Sequence, residues 1–343
     1  DIDEKKTILN EKNLKNVNIG NIPIMVGSKY CVLNDGKKNN DECIYDFGGY
    51  FLVNGNEKVI VCQEKIAENI VNVYENSKSS SKYSHSVDIK SLSKKGFNTP
   101  KNFSVKMLNK DHKDKVLKVS MPHCKTDIPL FVLFRAFGIE SDKEILEYIM
   151  FNIKDNKMMC DFIQPSIEDG NFIRTQNDAI EYLLKYGHIL GQPKDIKHSR
   201  ETKIELFKDM IKRDVLSHVG ENMKKKALFL GYMVNKLFMC VTKRIKYDDR
   251  DSYCNKRVET SGYLMSVLFR QYFTKMIKDM RNQIMKELNS TPWKNAQNDL
   301  NIENIINENN LYKIFKSTTI TSGLKYGLAT GNWSIKCTNS KVG

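Results

Sequence analysis

The stretch DFGGYFLVNGNEKVIVCQEK, residues 46–65, has the pattern of a strand, a turn and a second strand. Tyr50–Val53 and Val59–Cys62 are aromatic or mostly β-branched residues, which pack well in strands. Between them, Asn54-Gly55 is typical of the tight turn that joins two antiparallel strands. This stretch therefore predicts a β-hairpin near the start of the chain.

Further strands are predicted on the C-terminal side of the hairpin, within the first 122 residues. FSVKML (103–108) and KVLKVSM (115–121) are short alternating segments separated by polar turns. The serine-rich run NSKSSSKYSHS, residues 76–86, predicts a loop instead. The first third of the chain is therefore expected to be rich in β-structure.

Helical patterns begin at residue 141 and continue through most of the remaining sequence. Ser141 is followed three residues later by Glu144, a spacing that predicts a capping box at the first of these helices. Apolar residues recur at helical spacing in several segments, namely 177–190, 201–219, 224–243, 261–289 and a short one at 302–315, with a loop at 289–299. Together the patterns predict an α+β, multidomain fold of mixed β-hairpins and long helices.

The chain is strongly basic, and this bounds its partners. It contains 55 Lys and Arg against 41 Asp and Glu, a formal net charge of +14. Such a balance favours a polyanionic partner, nucleic acid first and an anionic membrane second. A lysine-rich surface that merely keeps the protein solvated is the alternative.

Cysteine spacing and hydropathy exclude several classes of protein. The eight cysteines never form a C-x-x-C pair, which argues against a structural zinc site and a small disulfide scaffold. The longest apolar run, ALFLGYMVNKLFMCV (227–241), is interrupted by Asn235 and Lys236, so it predicts a core helix and no membrane span. We expect free thiols, a reducing compartment and no secretion. The ends of the sequence, Asp1 and SKVG, predict a piece of a larger protein.

The stretch DDRDSYCNKRVETSG, residues 248–262, raises the question of a metal site. Asp248, Asp249 and Asp251 could hold Mg²⁺. Arg250, and Lys256 with Arg257 further on, match much of that acid charge locally, which favours an ion-pair network in a loop between two long helices. We therefore predict that the aspartates orient the three cations and bind no metal.

Nucleophilic catalysis has little support in this sequence. No G-x-S-x-G elbow and no P-loop pattern occurs, and the six histidines lie apart. His123 and Cys124 are adjacent, which separates their side chains on a strand. Residues 309–343, in contrast, contain five lysines and no acidic residue, and three glycines lie within GLKYGLATG. This composition fits either close contacts with phosphate groups or a solvated terminus.

Six stretches in register over more than 300 residues resemble one family, the second-largest subunit of multisubunit DNA-directed RNA polymerases of the eukaryotic, archaeal and large-DNA-virus type. They are GNIPIMVGSKYCVL (20–33), DFGGYFLVNGNEKVIVCQEK, DIPLFVLFRAFGI (127–139), KKALFLGYMVNKL (225–237), DDRDSYCNKRVETSG and TITSGLKYGLATGNW (319–333). Each stretch alone is a moderate signal, and their shared order makes the resemblance specific.

The resemblance implies a domain organisation and a set of partners. It divides the chain into a discontinuous protrusion (1–66 and 222–281), an inserted lobe (67–221) and a truncated fork (282–343). It implies the largest polymerase subunit, smaller subunits, template and non-template DNA and nascent RNA as partners. The catalytic Mg²⁺ would be held mainly by the largest subunit and none by this chain. The expected location is the nucleus or cytoplasm, or a virus factory or virion if the source is viral.

The resemblance also implies nucleic-acid contacts, residue by residue. Lys58 matches a basic hairpin position that faces the RNA of the hybrid, and Gln63 matches a glutamine on the same wall. Arg250, Lys256 and Arg257 would lie on the rim of the nucleic-acid cavity. NSTPWKNAQND (289–299) and SIKCTNSK (334–341) fall at the family's two fork loops, which makes Lys336 and Lys341 candidate phosphate contacts.

Several residues depart from the family pattern or allow two interpretations. Ser252 and Cys254 replace the usual histidine and glycine, and Ser334 replaces a usual glycine, which indicates a divergent member with altered loop geometry. Trp333 could stack on a base, although a buried anchor is the expected role. The alternatives to a polymerase fragment are a non-catalytic nucleic-acid-binding or scaffold protein of the same fold, and a metal-dependent nuclease that uses DDRD.

Overall fold

The chain divides into two compact units with separate cores. The computed structural model describes residues 15–34, 43, 45–76, 81–93, 99–109, 115–152, 156–187, 200–288 and 312–333. The first unit combines Asp1–Lys65 with Val258–Gly343, and the second is Ile66–Arg257. Both units mix helices and strands, so the predicted α+β class is confirmed. Within the described residues, no helix combines the length and the apolar character that a membrane span requires.

The second unit is built on a five-stranded antiparallel sheet. Its strands follow one another in sequence order: β4 (Asn72–Glu75), β5 (Tyr83–Ser91), β6 (Lys101–Leu108), β7 (Leu117–Ser120) and β8 (Ile128–Pro129). One valine from each of the first four strands lies in direct register with the next, namely Val73, Val87, Val105 and Val119. All four are fully buried, because strict alternation places every second side chain on the core face of the sheet.

The described part of the second unit also contains six α-helices. They are α1 (Leu130–Ala136), α2 (Asp142–Met150), α3 (Lys157–Gly170), α4 (Gln176–Tyr186), α5 (Arg200–Asp214) and α6 (Met223–Val241). Of these, α1, α3 and α6 pack against the sheet. Every residue of α1 is buried, and the guanidinium of Arg135 within it donates to the carbonyl oxygens of Gly170 and Ile173 and to Asp142. α6 packs along α2 and against β4 and β5, so it forms part of the core of the second unit.

The first unit pairs a small hairpin with two helices. The hairpin consists of β1 (Phe51–Val53) and β2 (Asn56–Lys58), and the helices are α7 (Ser261–Leu288) and α8 (Thr318–Thr330). Phe51 and Val53 reach a core that contains Leu264 and Leu268 of α7. α7 and α8 approach closely at Gly323, where a Cβ atom would lie 2.3 Å from the ring of Tyr272.

The chain crosses between the units twice. β3 (Gln63–Ile66) and β9 (Lys256–Glu259) contain the two crossings and form a separate two-stranded sheet. In the first unit, Lys65 pairs with Glu259 at 2.9 Å. Because 222–257 group with 66–221 in the second unit, α6 belongs to the same compact body as the five-stranded sheet. The assignment of protrusion, lobe and fork boundaries stays a prediction.

The predicted helices at 177–190, 201–219, 224–243 and 261–289 correspond to α4, α5, α6 and α7, whereas most of the one predicted at 302–315 lies outside the described residues. Three predictions of local structure are wrong. The second hairpin strand begins at Asn56, directly after the turn, and residues 59–62 lie outside it. Tyr83–Ser86, predicted as loop, belong to β5. Ser141 makes no side-chain capping bond, and Glu144 accepts the hydroxyl of Tyr148 at 3.1 Å. The predicted loop at 289–299 lies outside the described residues.

Candidate nucleic-acid interface

The hairpin turn determines where Lys58 lies. Asn54 and Gly55 both have positive φ, 53° and 77°, as the favoured two-residue hairpin turn requires. That turn places Val53 opposite Asn56 and Phe51 opposite Lys58. Directly opposed residues share a face of the ladder, so Lys58 lies on the face of the buried Phe51 and is itself half-buried. The lysine stem therefore packs beside the core of the first unit.

Gln63 begins the crossing strand β3 in the same unit. Its side chain is half-buried, and its amide nitrogen donates to the carbonyl oxygen of Val61 at 3.1 Å. The neighbouring residues Val59 and Val61 point outward and are 67% and 53% exposed. Lys58 and Gln63 thus flank a short extended segment that carries exposed apolar side chains.

Asp248 has a structural role in the second unit. Its carboxylate accepts the N–H of Val73 at 2.8 Å and the ammonium of Lys236 at 2.8 Å. Its own N–H donates to the carbonyl oxygen of Val73 at 2.9 Å. Lys236 also donates to the carbonyl oxygen of Val71 at 2.7 Å. These bonds attach the start of the 248–257 loop to the free edge of β4.

Arg250 is placed by an aromatic ring. Its guanidinium carbon lies 4.2 Å from the centroid of the Tyr74 ring, a cation–π arrangement. The two residues line an open cleft of about 570 Å³, together with Glu75, Asp249 and others. Burial raises the pKa of the nearby Asp88 carboxyl, and the positive charge of Arg250 partly opposes that shift. Arg250 remains exposed at the mouth of the cleft.

The rest of the loop is held by short local contacts. Asp249 accepts the N–H of Asp251 at 2.9 Å. The ammonium of Lys256 lies 3.9 Å from Asp251 and 5.6 Å from the ring centroid of Tyr253. Arg257 is exposed, and its guanidinium donates to two backbone carbonyl oxygens, those of Cys254 at 3.1 Å and Lys256 at 2.7 Å.

The prediction that the aspartates orient all three cations is therefore wrong for two of them. Only Lys256 has an aspartate of the loop within ion-pair range, and its separation of 3.9 Å is long. Arg250 is placed by the ring of Tyr74, and Arg257 by backbone carbonyl groups. The strongest ion pair of the loop is instead that of Asp248 with Lys236, a partner on α6.

The loop does not have the donor set of a metal site. One carboxylate oxygen of Asp248 already accepts an ammonium and a backbone N–H, and Asp249 accepts another N–H. In the described ranges, no group of three or more His, Cys, Asp or Glu side chains lies close enough together to hold a metal ion. The carboxylates of Asp248 and Asp249 are thus already engaged by donors of the protein itself.

Two departures from the family pattern, Ser252 and Cys254, lie at a short 3₁₀ turn, Tyr253–Asn255, and the third, Ser334, lies outside the described residues. Ser252 precedes this turn with extended backbone, φ −62° and ψ 125°. Cys254 is not among the described residues with positive φ, so the turn needs no glycine at that position. The backbone of the loop thus accommodates both residues without a positive φ angle.

Two further sequence predictions concern single residues. Trp333 is buried, and its indole N–H donates to the carbonyl oxygen of Leu264 at 2.7 Å, which confirms the predicted anchor role. Burial raises the pKa of Cys124 to about 11, so its thiol stays protonated at neutral pH. His123 meanwhile bonds Asp214 at 2.7 Å. These two residues do not have the arrangement of an activated nucleophile.

The predicted contacts thus fall into two groups within the described chain. Lys58 and Gln63 belong to the first unit, and Arg250, Lys256 and Arg257 share one loop of the second. Lys336 and Lys341 lie outside the described residues. Sequence reasoning missed Tyr74 as the support of Arg250 and Lys236 as the partner of Asp248. Lys236 carried a signal, since it interrupts the apolar run of α6.

Comparison with protein families covers both groups. The family model described as RNA polymerase Rpb2, domain 2, matches residues 57–259, which is more than half of the chain. This range begins beside Lys58 and ends just after Arg257.

Individual relatives extend the similarity over almost the whole chain. The chain is 37% identical over 334 residues to the DNA-directed RNA polymerase II subunit RPB2 of Encephalitozoon cuniculi, covering 95% of this chain and 27% of that protein. It is 35% identical over 327 residues to DNA-directed RNA polymerase II subunit 2 of Arabidopsis thaliana, covering 92% and 26%. It is 33% identical over 340 residues to the DNA-directed RNA polymerase subunit Rpo2N of Methanococcus vannielii, covering 96% of this chain and 61% of that protein. The chain thus spans about a quarter of the length of the eukaryotic relatives.

Proposed function

This chain belongs to the Rpb2 family of RNA polymerase subunits, and on that premise we propose that it forms part of the nucleic-acid cleft of a transcribing RNA polymerase. It works as a segment of the second-largest subunit during DNA-templated RNA synthesis. In this proposal it contacts template and non-template DNA and nascent RNA, and it assembles with the largest subunit and smaller subunits. Bond formation, and the Mg²⁺ that supports it, belong to the assembled enzyme.

One observation carries the proposal. The family match spans 57–259, and five of the predicted nucleic-acid residues fall inside it: Lys58, Gln63, Arg250, Lys256 and Arg257. Four of the five carry a positive charge, in a chain with a net charge of +14. Cations that contact phosphate groups position a strand without reading its sequence, as transcription of any gene requires.

The fixed geometry of the 248–257 loop supports its role in this proposal. The bond network of Asp248 attaches the loop to β4, and a ring and two carbonyl groups place the guanidinium groups. Cations held in advance lose little conformational freedom when a phosphate arrives. The exposed Arg257 and the partly exposed Lys256 are therefore the strongest phosphate contacts within the described residues.

The test removes both charges in the assembled polymerase. In the Lys256→Gln/Arg257→Gln variant, elongation complexes should dissociate at lower salt, and the slope of log affinity against log salt should flatten by up to about 2. The control, Lys243→Gln/Lys246→Gln, removes two exposed charges of the same unit that lie before the loop. Equal salt slopes for the two variants would contradict the assignment of the loop to the cleft.

A further inference from the structure

A second basic feature lies in the first unit, and none of the residues assigned above lines it. It is a cavity of about 310 Å³ between α7 and the segment 312–319 that leads into α8. Its walls come from both segments: Met276, Asp279, Asn282, Gln283, Lys286, Lys313, Ile314, Lys316 and Thr319. We call it the α7–α8 cavity.

Along the face of α7 that packs in the core, the side chains change from apolar to charged where the cavity begins. Leu264, Leu268 and Met276 lie on this face and are buried. The same face continues at helical spacing with Asp279 and Lys286, which are polar and exposed. Packing against α8 does not require charge at these positions. The change opens a polar cavity where the apolar core ends.

Three ammonium groups line the cavity against one carboxylate. Lys286 comes from the last turn of α7, and Lys313 and Lys316 come from the opposite wall. Across the ranges that the structure describes, no carboxylate lies within ion-pair distance of any of the three. An excess of positive charge around one cavity attracts an anion and gains from its binding.

The other polar groups of the cavity are suited to phosphate oxygens. Asn282 supplies amide N–H donors and Thr319 a hydroxyl, whereas the amide of Gln283 already donates to Glu287 at 3.0 Å. Thr319 also lies in the first turn of α8, a helix of 13 residues, where backbone N–H groups add partial positive charge. No aromatic ring is among the described residues of the wall, so the cavity offers no stacking platform for a base.

We propose that the α7–α8 cavity binds backbone phosphate of a single nucleic-acid strand, through Lys286, Lys313 and Lys316. Its volume is at the lower end of the ~300–1,000 Å³ typical of ligand pockets, enough for one phosphate with its sugar and too small for a duplex. The inference rests on the proposed function, since it adds a contact to the same nucleic-acid wall. Free polyphosphate shares the chemistry and is the alternative source of the anion.

The experiment measures binding of a fluorescent 20-nucleotide single strand to the complete 343-residue chain at several salt concentrations. The variant Lys286→Gln/Lys313→Gln/Lys316→Gln should bind more weakly, with a salt slope flatter by roughly 2. The control Lys275→Gln/Lys278→Gln/Lys325→Gln removes three exposed charges from α7 and α8 that do not line the cavity. It should keep most of the parent slope. The Lys→Arg triple variant at the cavity should bind like the parent.

Each outcome decides the proposal. Equal losses in the cavity and control variants, or no loss in either, would show that only overall charge matters and would overturn it. A further measurement compares pyrophosphate with the strand. If pyrophosphate binds the parent as tightly as the strand does, and its affinity falls equally in the cavity variant, the site binds free polyphosphate and the strand contact is overturned. Failure of the proposed function is detected separately, by the Lys256/Arg257 variant in the assembled polymerase.

Discussion

At the scale of single residues, Lys226 is a charged side chain in the core of the second unit. It is 0% exposed, and its ammonium donates to the carbonyl oxygens of Ile211, Lys212 and Val215, with the first bond at 3.1 Å. These carbonyl groups belong to the last turn of α5 and the residue after it, where a helix leaves acceptors unpaired. Lys226 thus caps α5 from α6 and joins the two helices.

Replacing this lysine by an apolar residue should destabilise the protein. We expect Lys226→Met to lower the free energy of unfolding by about 3 kcal/mol, because three carbonyl oxygens at the end of α5 each lose a hydrogen bond. Among the described residues, only the oxygen of Ile211 keeps another bond, from the N–H of Val215. Denaturant unfolding measures the difference. The neighbouring Lys225→Met changes an exposed side chain and should cost less than about 0.5 kcal/mol. Similar losses in both variants would contradict the capping role.

The difference in the free energy of unfolding between the parent and Lys226→Met should also depend on pH. Burial lowers the pKa of Lys226 to about 8 from 10.5. Between these values the unfolded chain binds more protons at this group than the folded chain, so the stability contributed by the group rises with pH. The parent should therefore gain stability relative to Lys226→Met between pH 8 and 10.5. A constant difference across that window would mean that the pKa is not lowered.

Sequence reasoning at this scale found charges but not their partners. It predicted correctly that Asp248 is structural and that Trp333 is buried. The partners of Asp248 are distant in sequence: Lys236 lies 12 positions away and Val73 lies 175 positions away. Only the fold therefore shows these contacts. Arg250 was assigned to aspartates because they are adjacent in sequence, whereas the ring of Tyr74 lies closer in space.

At the scale of elements, the contact between α7 and α8 depends on two glycines. A Cβ atom at Gly323 would lie 2.3 Å from the ring of Tyr272, and one at Gly327 would lie 2.6 Å from Leu268. Both glycines come from the stretch TITSGLKYGLATGNW. Their missing side chains let the two helices approach, and this contact forms one wall of the core shared with the hairpin.

Adding one methyl group at this contact should loosen the first unit. We expect Gly323→Ala to cost about 2 kcal/mol, since the ring of Tyr272 or the helix axis must shift. Amide hydrogens of α7 and α8 should then exchange roughly 30-fold faster. Gly262→Ala is the matched control, because nothing lies within 4 Å of a Cβ at that helical position. Unchanged exchange in Gly323→Ala would contradict the close contact.

The sequence predicted elements where periodicity extended over several turns. The segments 201–219, 224–243 and 261–289 have a clear apolar repeat and contain α5, α6 and α7. α1 was missed because a short helix that is buried on all sides shows no period. α3 and α8 were also missed. α3 contains Pro165 and α8 contains Gly323 and Gly327, and these residue types disfavour a helix when only the sequence is considered. β2 was misplaced because Asn56 and Glu57 have low strand propensity, whereas the turn determines the pairing.

At the scale of the whole molecule, the chain spans about a quarter of the length of its eukaryotic relatives. Its two units each have a core, and the predicted nucleic-acid residues are distributed over both. The fold class and the family could be predicted from the sequence, because six ordered stretches preserve the family pattern. The proposed path of a nucleic acid along these residues could not, since it would depend on chains and strands outside this one.

The central claim is that this chain forms a wall of the transcription cleft, with Lys58 facing the RNA. The most direct test replaces Lys58 by a photo-crosslinking amino acid in the assembled polymerase and stalls transcription with labelled RNA. We predict a crosslink to the nascent RNA from position 58, and none from the same amino acid at Leu206, an exposed position on α5. Equal crosslinking at both positions, or none at 58, would contradict the account.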